Sequence, residues 1–168
     1  MIYCVKGDLF NGVKNVVNGT VIIPHVCNNI GAWGAGFVVP LGKKYPKAKE
    51  SYLKWYNTPD FFLGNTQLIL VDNGVIVANM VAQDGITSGS TGDRSRVVDR
   101  PLRYDALVNC MLQVKETALR PFSDSDEKAV IHCPKFGSGL AGGEWAFIEK
   151  LIEDIWDSAG LDTVVYTL

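Results

Sequence analysis

Apolar residues fall along the chain in short β-branched runs that alternate with stretches of helical period. Residues 2–6 read as a strand closed by Gly7-Asp8, and residues 20–26 as a second strand opened by Asn18-Gly19. Residues 36–44 predict a helix that stops at Tyr45, because the residue before Pro46 disfavours helical geometry. Pro46 then suits the first turn of another helix that runs to Tyr56. Residues 66–71 and 75–81 are strand-like and are joined by Asp72-Asn73-Gly74, which carries the Asn-Gly signal of a tight hairpin. A helix over 103–119 places Leu107, Met111, Val114 and Ala118 on one stripe, and residues 129–133 form another strand. The clearest helix, 144–157, aligns Trp145, Ile148, Leu151, Ile152 and Ile155, with Gly160 as its cap. A strand over 163–167 ends the series.

Strands alternating with helices, apart from one hairpin, predict an α/β fold: a mixed sheet covered by helices on both faces. No repeat or low-complexity linker divides the 168 residues, so one domain over 1–168 is expected. Residues 83–101 break the pattern with Gly, Ser, Thr, Asp and Arg. A functional lid and a plain surface loop are both open readings there.

Composition narrows the function classes. A net charge of −2 argues against a general affinity for nucleic acid, which needs a basic field, but leaves room for a local basic patch. No apolar run has bilayer length, and the first residues lack the pattern of a signal peptide, so a cytoplasmic location and no membrane partner are expected. Cys4, Cys27, Cys110 and Cys133 are scattered without a C-x-x-C pair. They read as buried free thiols, and no metal or cofactor is expected.

Two glycine-rich segments carry the chemistry. Asn28-Asn29-Ile30-Gly31-Ala32-Trp33-Gly34-Ala35-Gly36 follows the second strand, and Pro134-Lys135-Phe136-Gly137-Ser138-Gly139-Leu140-Ala141-Gly142-Gly143 follows the fifth. Each runs from a strand into a helix, where ligands of open α/β sheets bind. Glycines there let backbone N–H groups approach an anion, so the pair suits a diphosphate held from two sides. Neither segment ends in the Gly-Lys-Ser/Thr of a P-loop. Gly137 to Gly142 matches G-x-G-x-x-G, but Asp162 precedes the next strand rather than following it, and no further βαβ units remain. A Rossmann reading is rejected.

The order Gly7-Asp8-Leu9, His25-Val26-Cys27-Asn28, Gly31-Ala32-Trp33-Gly34-Ala35-Gly36, Gly137-Ser138-Gly139-Leu140 and the ending Val165-Tyr166-Thr167-Leu168 resembles the macrodomain family over nearly the whole chain. The His-x-Cys-Asn and Gly-x-Trp-Gly-x-Gly segments are similar to the yeast-type ADP-ribose 1″-phosphate phosphatases. The closing Val-Tyr-Thr-Leu is like that of the terminal ADP-ribose protein glycohydrolases. The resemblance implies a three-layer α/β/α fold with ADP-ribose in a cleft over the sheet. Asp8 would then accept from the adenine amino group, with Leu9 alongside, and Asn28 would hold a hydroxyl of the distal ribose. Gly34, Ala35 and Gly36 would line one side of the diphosphate, and Gly137, Ser138, Gly139, Leu140 and Ala141 the other.

Structural readings stand beside these. Asp8 suits a helix N-cap and Asn28 an Asx-turn, while Trp33 serves either to cover its loop or to stack on the ligand. The glycohydrolases use a lysine after the fourth strand and an aspartate in the second loop. Here those positions fall at Ala82 or Gln83 and at Ala141, so that mechanism is not expected. The nearest replacements are Asp84 and His25. His25 is equally readable as general acid–base or core histidine, and His132 as a core residue.

Three hypotheses follow from the resemblance. The first is a hydrolase that removes a 1″-linked group from an ADP-ribose derivative, with Asn28 positioning the sugar and the substrate phosphate, Asp84 or His25 activating water. The second is a non-catalytic ADP-ribose reader, and the third an interaction module without ligand. Expected partners are ADP-ribose or a derivative, with an ADP-ribosylated protein or nucleic acid as a further possibility, and the chain is expected to be a monomer.

Overall fold

β-Branched runs become strands and amphipathic stretches become helices close to where the sequence predicts them. The computed structural model describes residues 1–87, 97–120 and 127–168. In chain order the elements are β1 (Ile2–Lys6), α1 (Leu9–Lys14), β2 (Val21–Asn28), α2 (Val38–Lys44), α3 (Pro46–Trp55), β3 (Thr66–Asp72) and β4 (Val75–Gln83). They continue as α4 (Tyr104–Leu119), β5 (Val130–Pro134), α5 (Trp145–Ile155), a 3₁₀ turn (Asp157–Ala159) and β6 (Thr163–Thr167). The strands form one six-stranded sheet in the order β1-β6-β5-β2-β4-β3. Every pairing is parallel except the β3–β4 hairpin.

The layers follow from the alternation of side chains along each strand. Ile22, Ile76, Met80 and Ile131 face α4 and α5, packing with Leu107, Met111, Ile148, Ile152 and Trp156. Ile23, Val77 and Val81, one residue out of phase, face α1 to α3 and pack with Leu9, Leu41 and Tyr52. β4 is buried along its full length, which fits its unbroken apolar run between two helical layers. This is the three-layer mixed α/β fold that the sequence implies.

The differences have physical causes. α1 goes unpredicted because it has six residues with Gly12 among them. That glycine is required, since a Cβ there would overlap the Tyr166 hydroxyl. β2 and β4 run two residues beyond their apolar cores, so Asp84 follows its strand directly rather than two residues past it. α5 tightens into the 3₁₀ turn, and Gly160 caps that turn in a left-handed conformation, φ +81°. Cys4 is exposed, against expectation, because β1 is an edge strand, whereas Cys27, Cys110 and Cys133 are buried free thiols. Both ends of the 83–101 segment are anchored: Gln83 bridges Leu102 and Ile86 bridges Val97. The lid and surface-loop readings concern 83–101, and the middle of that segment, residues 88–96, lies outside the described residues.

Candidate functional site

The register between β2 and β4 slips at the end that matters. Cys27 pairs with Val81 but Asn28 pairs with Gln83, so Ala82 is an extra residue in β4. This bulge brings Asn28 and Gln83 to one edge beneath the first glycine loop.

Asn28 organises that loop. Its Oδ1 accepts from the N–H groups of Ile30 and Ala32, each at 3.0 Å, and its Nδ2 donates to the Ala32 carbonyl at 2.7 Å. The Tyr52 hydroxyl, fully buried in α3, lies 2.7 Å from the Asn28 carbonyl oxygen and 3.0 Å from Oδ1. The Asx-turn reading of Asn28 is thus realised, with one Nδ2 hydrogen left over for a ligand. Asn29, which the sequence reading passed over, ties the loop to the segment after β4. Its Nδ2 donates to Asp84 Oδ1 at 3.1 Å, and its Oδ1 accepts from Gly85 N–H at 2.9 Å.

Trp33 is 9% exposed and packs beneath the loop, edge-on to His25 at 5.4 Å and tilted against Tyr52 at 5.3 Å. Its Nε1 faces Gly42, where a Cβ would lie only 2.9 Å away. The ring does the covering that one of its two readings expects, and it also borders the cleft.

His25 is 1% exposed. Asn79 uses its Nδ2 on the Ala48 carbonyl and Gln67 Oε1, so its Oδ1 is the acceptor and His25 Nε2 the donor. Burial lowers the His25 pKa to about 4. A neutral imidazole sealed under Trp33 and Phe37 is a core histidine. It borders the cleft from below, but its Nε2 is taken by Asn79 and its ring is almost wholly covered. This favours the core reading over that of a proton carrier, a role that needs a reachable nitrogen. Asp84 has a carboxylate oxygen engaged by Asn29 and does not line the cleft. His132 bonds the Tyr166 hydroxyl at 2.8 Å and is likewise structural.

The second loop is built from backbone. Gly143 N–H donates to the Gly137 carbonyl at 2.8 Å, and Gly142 N–H to Gly139 at 3.1 Å. A Cβ on Gly143 would overlap Leu102 and the Gly137 carbonyl, while Gly139 has open space around it. Ser138 turns its hydroxyl back onto the Lys135 carbonyl at 2.7 Å and stays out of the cleft wall. Leu140 reaches across, its Cδ1 3.6 Å from where a Cβ on Gly36 would sit, so the loops meet over the cleft.

Between them lies a cavity of about 180 Å³, bordered by His25 to Asn28, Ala32 to Val38, Gln83, Pro134 to Gly137 and Gly139 to Ala141. Among the described residues, no internal hydrogen bond engages the N–H groups of Gly34, Ala35, Gly36, Gly139, Leu140 or Ala141. Among the described residues no carboxylate lines the cavity, and Lys135 is the one formal cation. Unengaged donors from two sides with no opposing negative charge make an anion site. Asp8 stands apart at the end of edge strand β1. It caps α1 by accepting from Phe10 N–H at 3.0 Å, as its structural reading required, and Leu9 is buried behind it. Tyr52, Gln83 and Lys135 went unread. Tyr52 looks like one more apolar-face residue of α3, and only its distant partner Asn28 reveals its role.

No family model matches the chain. Curated relatives named ADP-ribose 1″-phosphate phosphatase are 25% identical in Candida albicans, over 92% of this chain and 93% of the relative. In Lodderomyces elongisporus the identity is 26%, over 98% and 96%. A macrodomain protein from Streptomyces coelicolor superposes with a TM-score of 0.79 and 32% identity, covering 100% of this chain and 99% of its own. With that identity held over both whole chains at this TM-score, this chain belongs to the macrodomain family.

Proposed function

We propose that the cleft binds ADP-ribose and that the protein hydrolyses a group carried on the 1″ position, with ADP-ribose 1″-phosphate as the small-molecule case. The observation that carries this reading is the set of unengaged N–H groups on the two loops that border the cavity, with no carboxylate among its described lining residues. A diphosphate supplies the acceptors those donors lack, and Lys135 adds charge. Sheet order gives the direction. Asp8 follows β1 at one edge, so adenine at Asp8 sends the distal ribose toward Asn28 and Gln83 at the ends of β2 and β4. The names of the curated relatives support the same chemistry.

In the reaction, water attacks the phosphorus of the 1″-phosphate, the P–O bond to the sugar breaks, and the ribose oxygen takes a proton, leaving ADP-ribose and inorganic phosphate. His25 is buried with its Nε2 on Asn79 and Asp84 is engaged by Asn29, so the substrate's own phosphate is the group best placed to take the water proton. Asn28 and Gln83 hold the ribose, and the loops hold the diphosphate. The same two observations favour a second reading, a reader that binds ADP-ribose without turning it over.

The deciding experiment incubates the protein with ADP-ribose 1″-phosphate and measures released phosphate, with Gly139→Val as the control. Release by the wild type and none by the variant fits the hydrolase. Binding without release makes the protein a reader.

A further inference from the structure

The modest net charge conceals a separation. Residues 43–54 hold Lys43, Lys44, Lys47, Lys49 and Lys54 against a single acid, Glu50, net +4. The rest of the chain carries 11 basic and 17 acidic residues, net −6. All five lysines are exposed, and among the described residues none takes part in an ion pair. Three of them have a local explanation, since Lys43 and Lys44 complement the C-terminal end of α2 and Lys54 that of α3. Lys47 does not. It stands in the first turn of α3, where the helix dipole disfavours a cation, and no acid accompanies it there. The fold therefore gains nothing from the charge of Lys47 where it stands.

The surface adjoins the cleft. A Cβ on Gly42 in α2 would touch both Lys49 Cβ, at 3.8 Å, and Trp33 Nε1 of the first loop. At the far end of α3, the Tyr56 ring lies 3.0 Å from where a Cβ on Gly31 would sit. Partly exposed Tyr56 and Phe62, 55% exposed, lie beyond the lysines. Glu50 on α3, and Asp72, whose charge reaches Tyr45, dilute the field without reversing it.

We infer that the exposed face of α2 and α3 is an interaction surface for single-stranded nucleic acid, running beside the first glycine loop. Lysine ammoniums are point charges suited to phosphates at variable spacing, which gives sequence-independent binding. The partly exposed Tyr56 ring, two residues past Lys54, suits an unstacked base, so a single strand fits better than a duplex. The inference does not depend on what the cleft binds.

Fluorescence anisotropy with a short labelled single-stranded DNA that carries no ADP-ribose tests it. The logarithm of the binding constant should fall linearly with the logarithm of salt between about 50 and about 200 mM. A slope of about −2 to −3.5 is expected for three to five phosphates. The triple variant Lys43→Gln, Lys47→Gln, Lys54→Gln should lose at least about tenfold in affinity at the lower salt and flatten the slope by about 2. Its ADP-ribose titration should match the wild type, and its melting temperature should fall by only a few degrees, because Lys43 and Lys54 are lost from helix ends whose dipoles they complement. Failure of the wild type to bind at low salt, or an unchanged slope in the variant, would overturn the inference. So would binding to phosphatidylserine vesicles that the oligonucleotide does not displace. Oligonucleotide binding without ADP-ribose binding would leave this surface standing and remove the ligand reading; the opposite pattern would do the reverse.

Discussion

The two glycine loops face the same cavity and are held by opposite means. The first is fastened by side chains: Asn28 threads its turn, Asn29 ties it to Gly85 and Asp84, and Tyr52 and Trp33 support it from α3 and from below. The second is fastened by its own backbone and by the absence of side chains at Gly137 and Gly143. Polar residues in the first loop therefore serve mainly to shape the backbone. In both loops it is the main chain that is left free to meet an anion. A polar residue near a cleft is not by that fact a ligand contact.

The largest expected effect comes from the side-chain-held loop. Asn28→Ala leaves the Ile30 and Ala32 N–H groups and the Ala32 carbonyl without partners. Each unmet buried group costs about 1–3 kcal/mol, so a stability loss of about 4 kcal/mol is expected from urea denaturation. ADP-ribose affinity should drop at least about a hundredfold, equivalent to about 3 kcal/mol. A variant that loses affinity while keeping full stability would mean that Asn28 serves the ligand and not the loop.

In the backbone-held loop, Gly143→Val forces a branched side chain into Leu102 and the Gly137 carbonyl. Overpacking of this kind should cost about 3 kcal/mol. Gly139→Val meets open space and should leave the melting temperature near that of the wild type. If both variants melt alike, the second loop is not fastened as described.

Acid should loosen the floor under the first loop. His25 binds a proton near pH 6.5 when unfolded but only near about 4 when folded, because burial disfavours its charged form. Its contribution is fully present above about 6.5 and is lost as pH falls toward about 4, amounting to about 3 kcal/mol. His132 shifts in the same direction, also by burial. Melting temperature plotted against pH should fall through this window, and His25→Gln, which keeps a donor for Asn79, should flatten the curve. An unchanged curve would put His25 in contact with solvent.

The smallest effect is Tyr52→Phe. Removing one buried hydroxyl from the Asn28 carbonyl should cost about 1 kcal/mol of stability. ADP-ribose affinity should fall with it, because the turn would be less rigidly held. Equal affinity would show that Asn28 holds the loop without help from α3.

What the sequence disclosed was what local pattern encodes. The runs around Ile22-Ile23 and Val75 to Val81 announced buried strands. The glycines at 31, 34, 36, 137 and 139 announced two anion-shaped turns. α1 stayed hidden because Gly12 is there to clear Tyr166, a contact made across the whole length of the chain. The role of Asn28 waited on Tyr52, 24 residues away, and that of His25 on Asn79, 54 residues away. Such partners are set by strand order, and composition and spacing carry no trace of them.

The central claim is that the cleft between the two loops recognises the diphosphate and distal ribose of ADP-ribose. Isothermal titration of the wild type with ADP-ribose and with AMP, repeated on Gly139→Val, tests it most directly. The account predicts tighter binding of ADP-ribose than of AMP, and loss of ADP-ribose binding in a variant that still melts like the wild type. AMP binding as tightly as ADP-ribose, or a folded Gly139→Val protein with normal affinity, would contradict it.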